Sequence, residues 1–373
     1  MSPVLSLVEV PVLSLAEVKE SLMSLALRLV LWWRSRPSLV RAALQDKDFP
    51  QAPELIPGRV RVGVVQFRLR LVGDAGQYAA AMYEPVREAV AGGAQLVLFP
   101  EHVGLCLLGL LPGVGKLATQ ALSLEEAVAS AAGENAKVID VFKAVAPGAR
   151  RAYQTTFSAL ARRFGVHIVA GSIMLPDEAG RLCNVAYLFG PDGRVIGAQR
   201  KTHLFHIEQD WGVTPGDQIS VFDTPVGKLA FPICMDHTFF EPQRIAWLLG
   251  AEIIVDPSAN PKPYDHWEQL RGVWGRVQES PAYGILSCLV GQFMGFTFEG
   301  RSGVYAPLEM TPAGDGILAQ AETADQEEVI LADLDLEALR RFRAERGPDF
   351  NLALLEKYFP EVYEEYRQRV VDQ

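Results

Sequence analysis

Three reactive side chains stand where apolar, strand-like runs of the chain end. Glu101 follows LVLFP, Lys201 follows RVIGAQR and Cys234 follows KLAFPI. A carboxylate can take a thiol proton, a thiolate can attack a carbonyl carbon, and an ammonium can stabilise the oxyanion that forms. Together the three residues indicate acyl transfer through a thiol. Singly, they fit a helix cap, a solvated strand end and a small buried side chain.

The other three cysteines favour packing over chemistry. Cys106 and Cys288 lie inside apolar runs, and Cys183 precedes a strand-like segment with no acidic or basic cluster around it. The cysteine spacing contains no Cys-x-x-Cys pair, so it matches neither a disulfide framework nor a zinc knuckle. We therefore expect a cytoplasmic, reducing environment and one nucleophile, Cys234.

Two alternative sites involve histidines. His237 lies three residues after Cys234, where it could form a Cys-His pair of the papain type or line the substrate pocket. His203 and His206, with Asp210 nearby, could bind a metal, but their rings would share a face only on a helix, and this stretch begins at a strand end. We favour a pocket role for His237 and expect neither a metal nor a cofactor.

The elements that must position these residues alternate between strands and helices. Short β-branched runs such as RVRVGVVQF and VHIVAGSI alternate with helical segments such as TTFSALARRFG, a pattern typical of α/β proteins. In such proteins, ligand-binding side chains converge where strands end. Residues 105–150 interrupt the alternation as a long, Ala-rich helical insertion near the active site. We expect this insertion to cover the site as an apolar lid.

Composition argues against some classes of function. The 373 residues are 49% hydrophobic and 21% charged, as in a globular chain with a large core. A net charge of −10 and a pI near 5.2 provide no basic surface for nucleic acid. The apolar segment 21–33 is shorter than the roughly 20 residues that cross a bilayer, so we expect no membrane span.

Both ends of the chain lie outside the alternating region. Residues 1–58 contain an amphipathic helical segment and a proline-rich linker, and residues 336–373 form a helical tail. Apolar residues at helical spacing must be buried somewhere, so we expect a homodimer or a larger homo-oligomer with these ends at the contacts. The alternative is a monomer whose N-terminal helix docks on a membrane.

Several ordered motifs carry a family resemblance: VGVVQ, LVLFPE, NVAYLFGPDGRVIGAQRKTHLF, TPGD and ICMD. Together they resemble the carbon-nitrogen hydrolase (nitrilase-like) superfamily over residues 59–335, with the greatest similarity to an amidohydrolase-type branch. The resemblance implies a four-layer α-β-β-α sandwich of the α/β class, commonly paired into dimers across the face near the nucleophile. In this chain it predicts helical N- and C-terminal extensions around a central hydrolase domain.

The resemblance also implies roles for individual residues. Glu101 would be the general base, Cys234 the nucleophile, and Lys201 the cation that faces the developing oxyanion. The backbone N–H of Met235 would be a second oxyanion donor. Glu208, in KTHLFHIEQ, matches a position that is often a glutamate beside the site, where it would orient Lys201 or the substrate.

The residues after the nucleophile bear on the bond that is cleaved. Nitrile-cleaving relatives usually show Cys-Trp-Glu, whereas this chain has Cys234, Met235 and Asp236, closer to amidase-type branches. We therefore expect hydrolysis of a small-molecule amide or N-carbamoyl bond through an acyl-enzyme, with release of ammonia or an amine. Asn184 matches a family asparagine and would contact the substrate or end a turn. The alternatives are a nitrilase and an inactive scaffold of the same fold.

Overall fold

The computed structural model describes residues 15–118, 123–347, 351 and 353–360. Its strands are β1 Arg59–Arg68, β2 Leu96–Leu98, β3 His167–Pro176, β4 Leu182–Phe189, β5 Val195–Arg200, β6 Phe222–Thr224, β7 Gly227–Ala230, β8 Ile253–Ser258, β9 Tyr283–Phe293, β10 Phe296–Phe298, β11 Gly303–Tyr305, β12 Ile317–Gln320 and β13 Glu328–Asp335. Its α-helices are α1 Leu15–Arg34, α2 Pro37–Leu44, α3 Ala75–Ala91, α4 Val114–Ala118, α5 Leu124–Ala132, α6 Val138–Phe164, α7 His206–Asp210, α8 Phe240–Leu248, α9 His266–Leu270, α10 Val273–Glu279 and α11 Leu336–Arg346. Short 3₁₀ turns lie at Val103–Leu110, Cys234–Thr238 and Leu308–Met310.

The strands form two mixed sheets. The first has the order β5-β4-β3-β2-β1-β13, with β1, β2 and β3 parallel, and the second has the order β6-β7-β8-β9-β11-β12, with β7, β8 and β9 parallel. The two are joined where β1 pairs with β9, at Phe67 and Leu289. Because the central strands of each sheet are parallel, their carboxyl ends lie along one edge of that sheet.

Alternation along β1 shows how the sheets are packed. Val62 and Val64 belong to one buried cluster with Val255 of β8 and Ile285 of β9, so this face of β1 meets the second sheet. Val65 and Phe67, which point to the opposite face of β1, belong to a different cluster that also contains side chains of the helices on that side. Successive side chains of a strand point to opposite faces, so β1 is buried on both.

Helices cover the two outer faces. On the first sheet, α3 and α6 pack through buried side chains, and Phe157, Leu160 and Phe164 form an apolar stripe along α6 at helical spacing. On the second sheet, α8 and α10 provide a smaller layer that includes Ala246 and Val277. The layers therefore follow the order helix, sheet, sheet, helix that the sequence predicted.

Helices make up most of the predicted extensions and insertion where the structure describes them. The N-terminal segment forms α1 and α2 and is followed by non-helical residues up to 58. The insertion forms α4, α5 and the first part of α6, and the C-terminal tail forms α11 and the helical residues 353–360. The predicted tail residues 361–373 lie outside the described residues. Within the described part of the chain, no helix combines the length and hydropathy needed to cross a membrane.

Candidate active site

Glu101 lies three residues beyond β2, where the chain leaves the first sheet. Its side chain is buried, and Oε1 accepts hydrogen bonds from Lys201 Nζ at 2.7 Å and from Asn184 Nδ2 at 2.8 Å. Asn184 lies on β4 and Lys201 follows β5, so three chain segments of one sheet meet at this carboxylate. The predicted base is therefore held in one position by a cation and an amide.

Lys201 is 2% exposed, and its ammonium lies between two carboxylates. Besides Glu101, Nζ donates to Glu208 Oε2 at 2.5 Å. Burial alone would lower the pKa of Lys201, but the charges of Glu101, Cys234 and Glu208 raise that pKa above its ordinary value. The side chain therefore stays a cation at neutral pH and can stabilise a developing negative charge.

Glu208 lies on α7 and completes the cluster. Its Oε1 accepts from Asn184 Nδ2 at 2.9 Å, and its Oε2 accepts from the backbone N–H of Phe205 at 3.0 Å. Burial would raise the pKa of Glu208, but the Lys201 ammonium, His102 and the backbone N–H of Phe205 lower it below its ordinary value. The amide of Asn184 thus bridges both carboxylates. We call Glu101, Asn184, Lys201 and Glu208 the charged floor.

Cys234 begins the 3₁₀ turn Cys234–Thr238, which we call the nucleophile turn. Its backbone φ is 47°, in the left-handed region that residues with a side chain rarely adopt. The sulfur accepts one long hydrogen bond, from Ser258 Oγ at 3.5 Å. Removal from water and the charge of Glu101 raise the pKa of Cys234, and Lys201 offsets only part of this rise. The thiol is therefore protonated at neutral pH and would need a base to act as a nucleophile.

Asp236 ties the nucleophile turn to the charged floor. Its Oδ2 accepts from the backbone N–H of Ile233 at 2.9 Å. Its Oδ1 accepts from the backbone N–H and the hydroxyl of Thr202, at 3.1 Å and 2.6 Å, and from the N–H of His203 at 2.6 Å. Burial would raise the pKa of Asp236, but these hydrogen bonds lower it below its ordinary value. Since Thr202 follows Lys201 directly, one carboxylate fixes the spacing between nucleophile and cation.

Met235 and His237 both line the cavity beside Cys234. The ring of His237 is buried, and its Nε2 lies 3.0 Å from the carbonyl oxygen of Pro232 and 3.9 Å from Asp256 Oδ1. The other ring nitrogen, Nδ1, has no hydrogen-bond partner among the described residues, so the ring makes no hydrogen bond to the sulfur of Cys234. The geometry therefore favours the pocket role of His237 over the papain-type pairing.

His203, one of the two histidines of the alternative metal site, has other partners. His203 Nδ1 lies 3.0 Å from Asp236 Oδ1, and its ring stacks on Phe239 with centroids 4.4 Å apart. A different group, Glu101, His102 and Glu208, has possible ligand atoms within 4.8 Å of one another. Both of its carboxylates already bind the Lys201 ammonium, which would repel a metal ion there. The donor set thus fits a buried ammonium rather than a metal.

A cavity of about 280 Å³ opens above Cys234 and Lys201. Aromatic side chains form much of its wall, namely Phe205, Trp211, Phe293, Phe296 and Phe298. Glu101, Lys201, Glu208 and Cys234 are among the polar groups of its lining. An apolar wall with a few convergent polar groups is the usual form of a small-molecule site.

The insertion contributes to this cavity in two places. Leu105 lines the cavity directly. Glu125 of α5 accepts a hydrogen bond from Trp211 Nε1 at 2.6 Å and so holds one aromatic wall residue from outside. The idea that the insertion acts as a lid stays a prediction, and these two contacts are where it would act.

Sequence reasoning did not single out His102, Asp256 or Ser258, although all three line the cavity. Asp256 and Ser258 lie at the carboxyl end of β8, so the strand-end rule that found Glu101 would also have found them. His102 has a left-handed backbone, with φ of 62°, and no feature of the sequence indicates such a conformation for this residue. Asp236 was noted only as part of a motif, because its partners lie 33 and 34 residues away in the chain.

A sequence model of the carbon-nitrogen hydrolase family matches residues 61–344, most of the chain. The chain belongs to the carbon-nitrogen hydrolase family. The family resemblance seen in the sequence is therefore confirmed.

Two curated relatives each match about half of this chain. Probable hydrolase YhcX of Bacillus subtilis (strain 168) is 36% identical over 197 residues, which are 51% of this chain and 38% of that protein. Omega-amidase NIT2 of Homo sapiens is 32% identical over 199 residues, which are 50% of this chain and 67% of that protein. The chain thus spans little more than a third of YhcX.

Solved structures share the fold. Saccharomyces cerevisiae Nit3, a member of branch 10 of the nitrilase superfamily, superposes with a TM-score of 0.57 at 22% identity, covering 81% of this chain and 99% of that chain. The amidase from Nesterenkonia sp. AN1, with the acetamide moiety of fluoroacetamide on its active-site cysteine, gives 0.56 at 21% identity, covering 82% and 100%. These similarities confirm the predicted four-layer α/β architecture.

Proposed function

We propose that this carbon-nitrogen hydrolase cleaves a small-molecule amide through a thioester on Cys234. One observation carries the proposal: the buried Lys201 ammonium lies 2.7 Å from Glu101 and 2.5 Å from Glu208, at the base of a cavity that Cys234 also lines. A base, a cation and a thiol are the groups that acyl transfer needs. Relatives named omega-amidase and amidase support an amide as the substrate.

The first step forms the thioester. Glu101 accepts the thiol proton of Cys234, and the thiolate attacks the carbonyl carbon of the amide. The carbonyl oxygen becomes an oxyanion, which Lys201 Nζ and the backbone N–H of Met235 stabilise. The carbon-nitrogen bond then breaks, and the nitrogen leaves with the proton that Glu101 had taken. Glu101 is a carboxylate again at the end of this step.

The second step hydrolyses the thioester. Glu101 removes a proton from water, and the hydroxide attacks the thioester carbon. The tetrahedral intermediate expels the Cys234 thiolate, which recovers the proton from Glu101, and the carboxylic acid leaves. As the thiolate attacks, the developing oxyanion attracts the ammonium that otherwise pairs with Glu101, so attack and transfer of the thiol proton to Glu101 favour each other. The raised pKa of Cys234 supports a role for a general base, since a protonated thiol must give up its proton when it attacks.

Matched acyl groups offered as primary amide, N-carbamoyl amine and nitrile test the proposal. We expect ammonia and carboxylate in equal amounts from the amide, and an acyl adduct on Cys234 by intact mass when the reaction is quenched early. Cys183→Ala is the control thiol variant, because Cys183 lies on β4 and pairs through its sulfur with the Arg181 carbonyl instead. Turnover of the nitrile well above the amide would favour a nitrilase. If none of the three substrates is hydrolysed and no adduct forms on Cys234, the inactive scaffold is favoured.

A further inference from the structure

The wall of the cavity that β9 and β10 form combines aromatic rings with a carboxylate. Phe293 and Phe296 are opposite each other across this hairpin, and the rings of Phe296 and Phe298 have centroids 6.1 Å apart. Glu299 follows Phe298 directly, and its Oε2 accepts from the backbone N–H of Tyr264 at 2.8 Å. All of these residues line the cavity. The same hairpin thus provides the two kinds of group that bind an organic cation.

The positive side chains of the cavity already have carboxylate partners. Lys201 is paired with Glu101 and Glu208, as described above. At the mouth, Lys262 lies 3.0 Å and Arg271 lies 3.5 Å from the same Glu268 oxygen. The described lining residues carry these three cations and six carboxylates, namely Glu101, Glu208, Asp256, Asp265, Glu268 and Glu299. In the described chain, no lysine or arginine lies within 4.0 Å of Glu299, and the lining as a whole is acidic.

This distribution of charge discriminates between acyl groups. An acyl chain that ends in a carboxylate would lose its hydration against an acidic wall and would have to compete with Glu268 for a cation. An acyl chain that ends in an ammonium would instead meet the Glu299 carboxylate and the neighbouring phenylalanine rings. Carboxylates and aromatic faces both attract organic cations. The wall therefore favours the positive charge.

We propose that the substrate is an amide whose acyl chain carries a positively charged amino group, with Glu299 as the residue that determines this specificity. The inference rests on the proposed amide hydrolysis and names its substrate class. Glu268 acts in the same direction, because it keeps Lys262 and Arg271 from attracting an anionic chain. Neither residue takes part in bond cleavage.

Three primary amides of similar length test the order: an aminopentanamide with a terminal ammonium, hexanamide, and succinamate. In the intact protein we expect kcat/KM to fall in that order, by about tenfold at each step, for charges near a partly exposed site. A rate for succinamate equal to or above that of hexanamide would overturn the inference, as would hexanamide above the aminopentanamide. If no amide shows hydrolysis that depends on Cys234, the proposed function itself fails and this inference with it. A different order among hydrolysed amides rejects the inference alone.

Two variants separate a charge effect from a structural one. Glu299→Gln keeps an oxygen that can accept from Tyr264 but removes the charge, so the aminopentanamide should lose about tenfold in kcat/KM while hexanamide changes less than twofold. Glu268→Gln frees Lys262 and Arg271, so succinamate alone should gain, by about fivefold. Glu178→Gln, an exposed position in the β3–β4 turn, makes the same change in net charge outside the cavity and should alter none of the three rates. An equal loss for all three substrates in Glu299→Gln would contradict the proposed role.

Discussion

The charged floor and the nucleophile turn meet in one cavity, but they are held in different ways. On the floor, each carboxylate accepts at least two hydrogen bonds, and Lys201 donates to both. In the turn, the sulfur of Cys234 has one weak contact of 3.5 Å, and its backbone adopts a left-handed conformation. Mutual pairing thus fixes the floor, whereas backbone geometry fixes the nucleophile.

This difference separates two kinds of requirement. The floor must keep three charges buried together, so the loss of one leaves the others unpaired and affects both chemistry and stability. The turn must hold a neutral thiol in place, so the loss of its sulfur affects chemistry alone. Asp236 joins the two regions, and its loss should affect the distance between them.

The largest effect on activity is expected from the turn. Cys234→Ala removes the nucleophile and should lower kcat by at least about ten-thousandfold, since no thioester can form. The free energy of unfolding should change by less than about 1 kcal/mol, because the sulfur makes a single weak contact. Ammonia release and urea unfolding measure the two quantities, with Cys183→Ala as the control. A loss of stability as large as that of a floor variant would contradict the contrast between the regions.

Removal of the floor cation should damage both activity and stability. Lys201→Met leaves Glu101 and Glu208 buried without a counter-ion, so kcat should fall about a thousandfold and the free energy of unfolding by about 3 to 5 kcal/mol. The stability loss should shrink at acidic pH, because protonation of the two carboxylates removes their repulsion. Urea unfolding at two pH values tests this.

Lys228→Met serves as the control for the floor variant, because Lys228 is exposed on β7. It should change neither quantity appreciably. If the Lys201 variant were as stable as the intact protein at neutral pH, pairing would not be what holds the floor.

Loss of the link between the regions should have an intermediate effect. Asp236→Asn keeps the shape of the side chain but cannot accept from all the donors around it, so unfolding should become easier by about 2 to 3 kcal/mol and kcat should fall about tenfold to a hundredfold. The pKa of Asp236 is below its ordinary value, so its contribution is present at neutral pH and is lost as pH falls through the folded pKa.

The difference in the free energy of unfolding between Asp236→Asn and the intact protein should therefore become smaller below about pH 4. Urea unfolding at pH 7 and at acidic pH measures it. Asp192→Asn is the matched control, since exposed Asp192 accepts a hydrogen bond from the backbone N–H of Arg194 in a surface turn. A difference that is the same at both pH values would show that the charge of Asp236 is not involved.

The sequence indicated part of the floor and the start of the turn by one rule. Glu101, Lys201 and Cys234 each follow a strand-like run, and side chains at strand ends can converge whatever their separation in the chain, whereas Asn184 and Glu208 were indicated only by the family resemblance. The α/β class followed from the alternation of strands and helices, and the layer order was implied by the family resemblance. These features depend on local patterns of residues, which can be recognised in a sequence.

The contacts that join the floor to the turn could not be predicted from the sequence. Asp236 bonds to Thr202 and His203, and nothing in either segment encodes the other. Likewise, the contact of Glu125 with Trp211 joins an insertion to a loop 86 residues away. Such contacts depend on how loops close over the finished sheets, and conformations such as that of His102 have no residue signature.

Among the substitutions of charged residues, the smallest change in the free energy of unfolding is expected at Asp256, the second aspartate near the turn. The sign of this change is opposite to that expected at Asp236. Burial raises the pKa of Asp256 to about 6; Glu101 and Asp236 add to the rise, while His237 and the N–H of Cys234 oppose it. A carboxyl whose folded pKa is raised contributes stability below its unfolded pKa, near 4, and loses it as pH rises through the folded pKa.

At neutral pH, Asp256 is therefore a buried charge that the fold tolerates, and one of its oxygens has no hydrogen-bond partner in the described structure. Asp256→Asn removes that charge while keeping an acceptor for the N–H of Cys234. The variant should be more stable than the intact protein by about 1 to 3 kcal/mol at pH 8, and the gain should vanish near pH 4. Urea unfolding across this range measures the gain. A gain that does not depend on pH, or a loss at pH 8, would mean that Asp256 supports the turn as Asp236 does, and the two aspartates would then act alike.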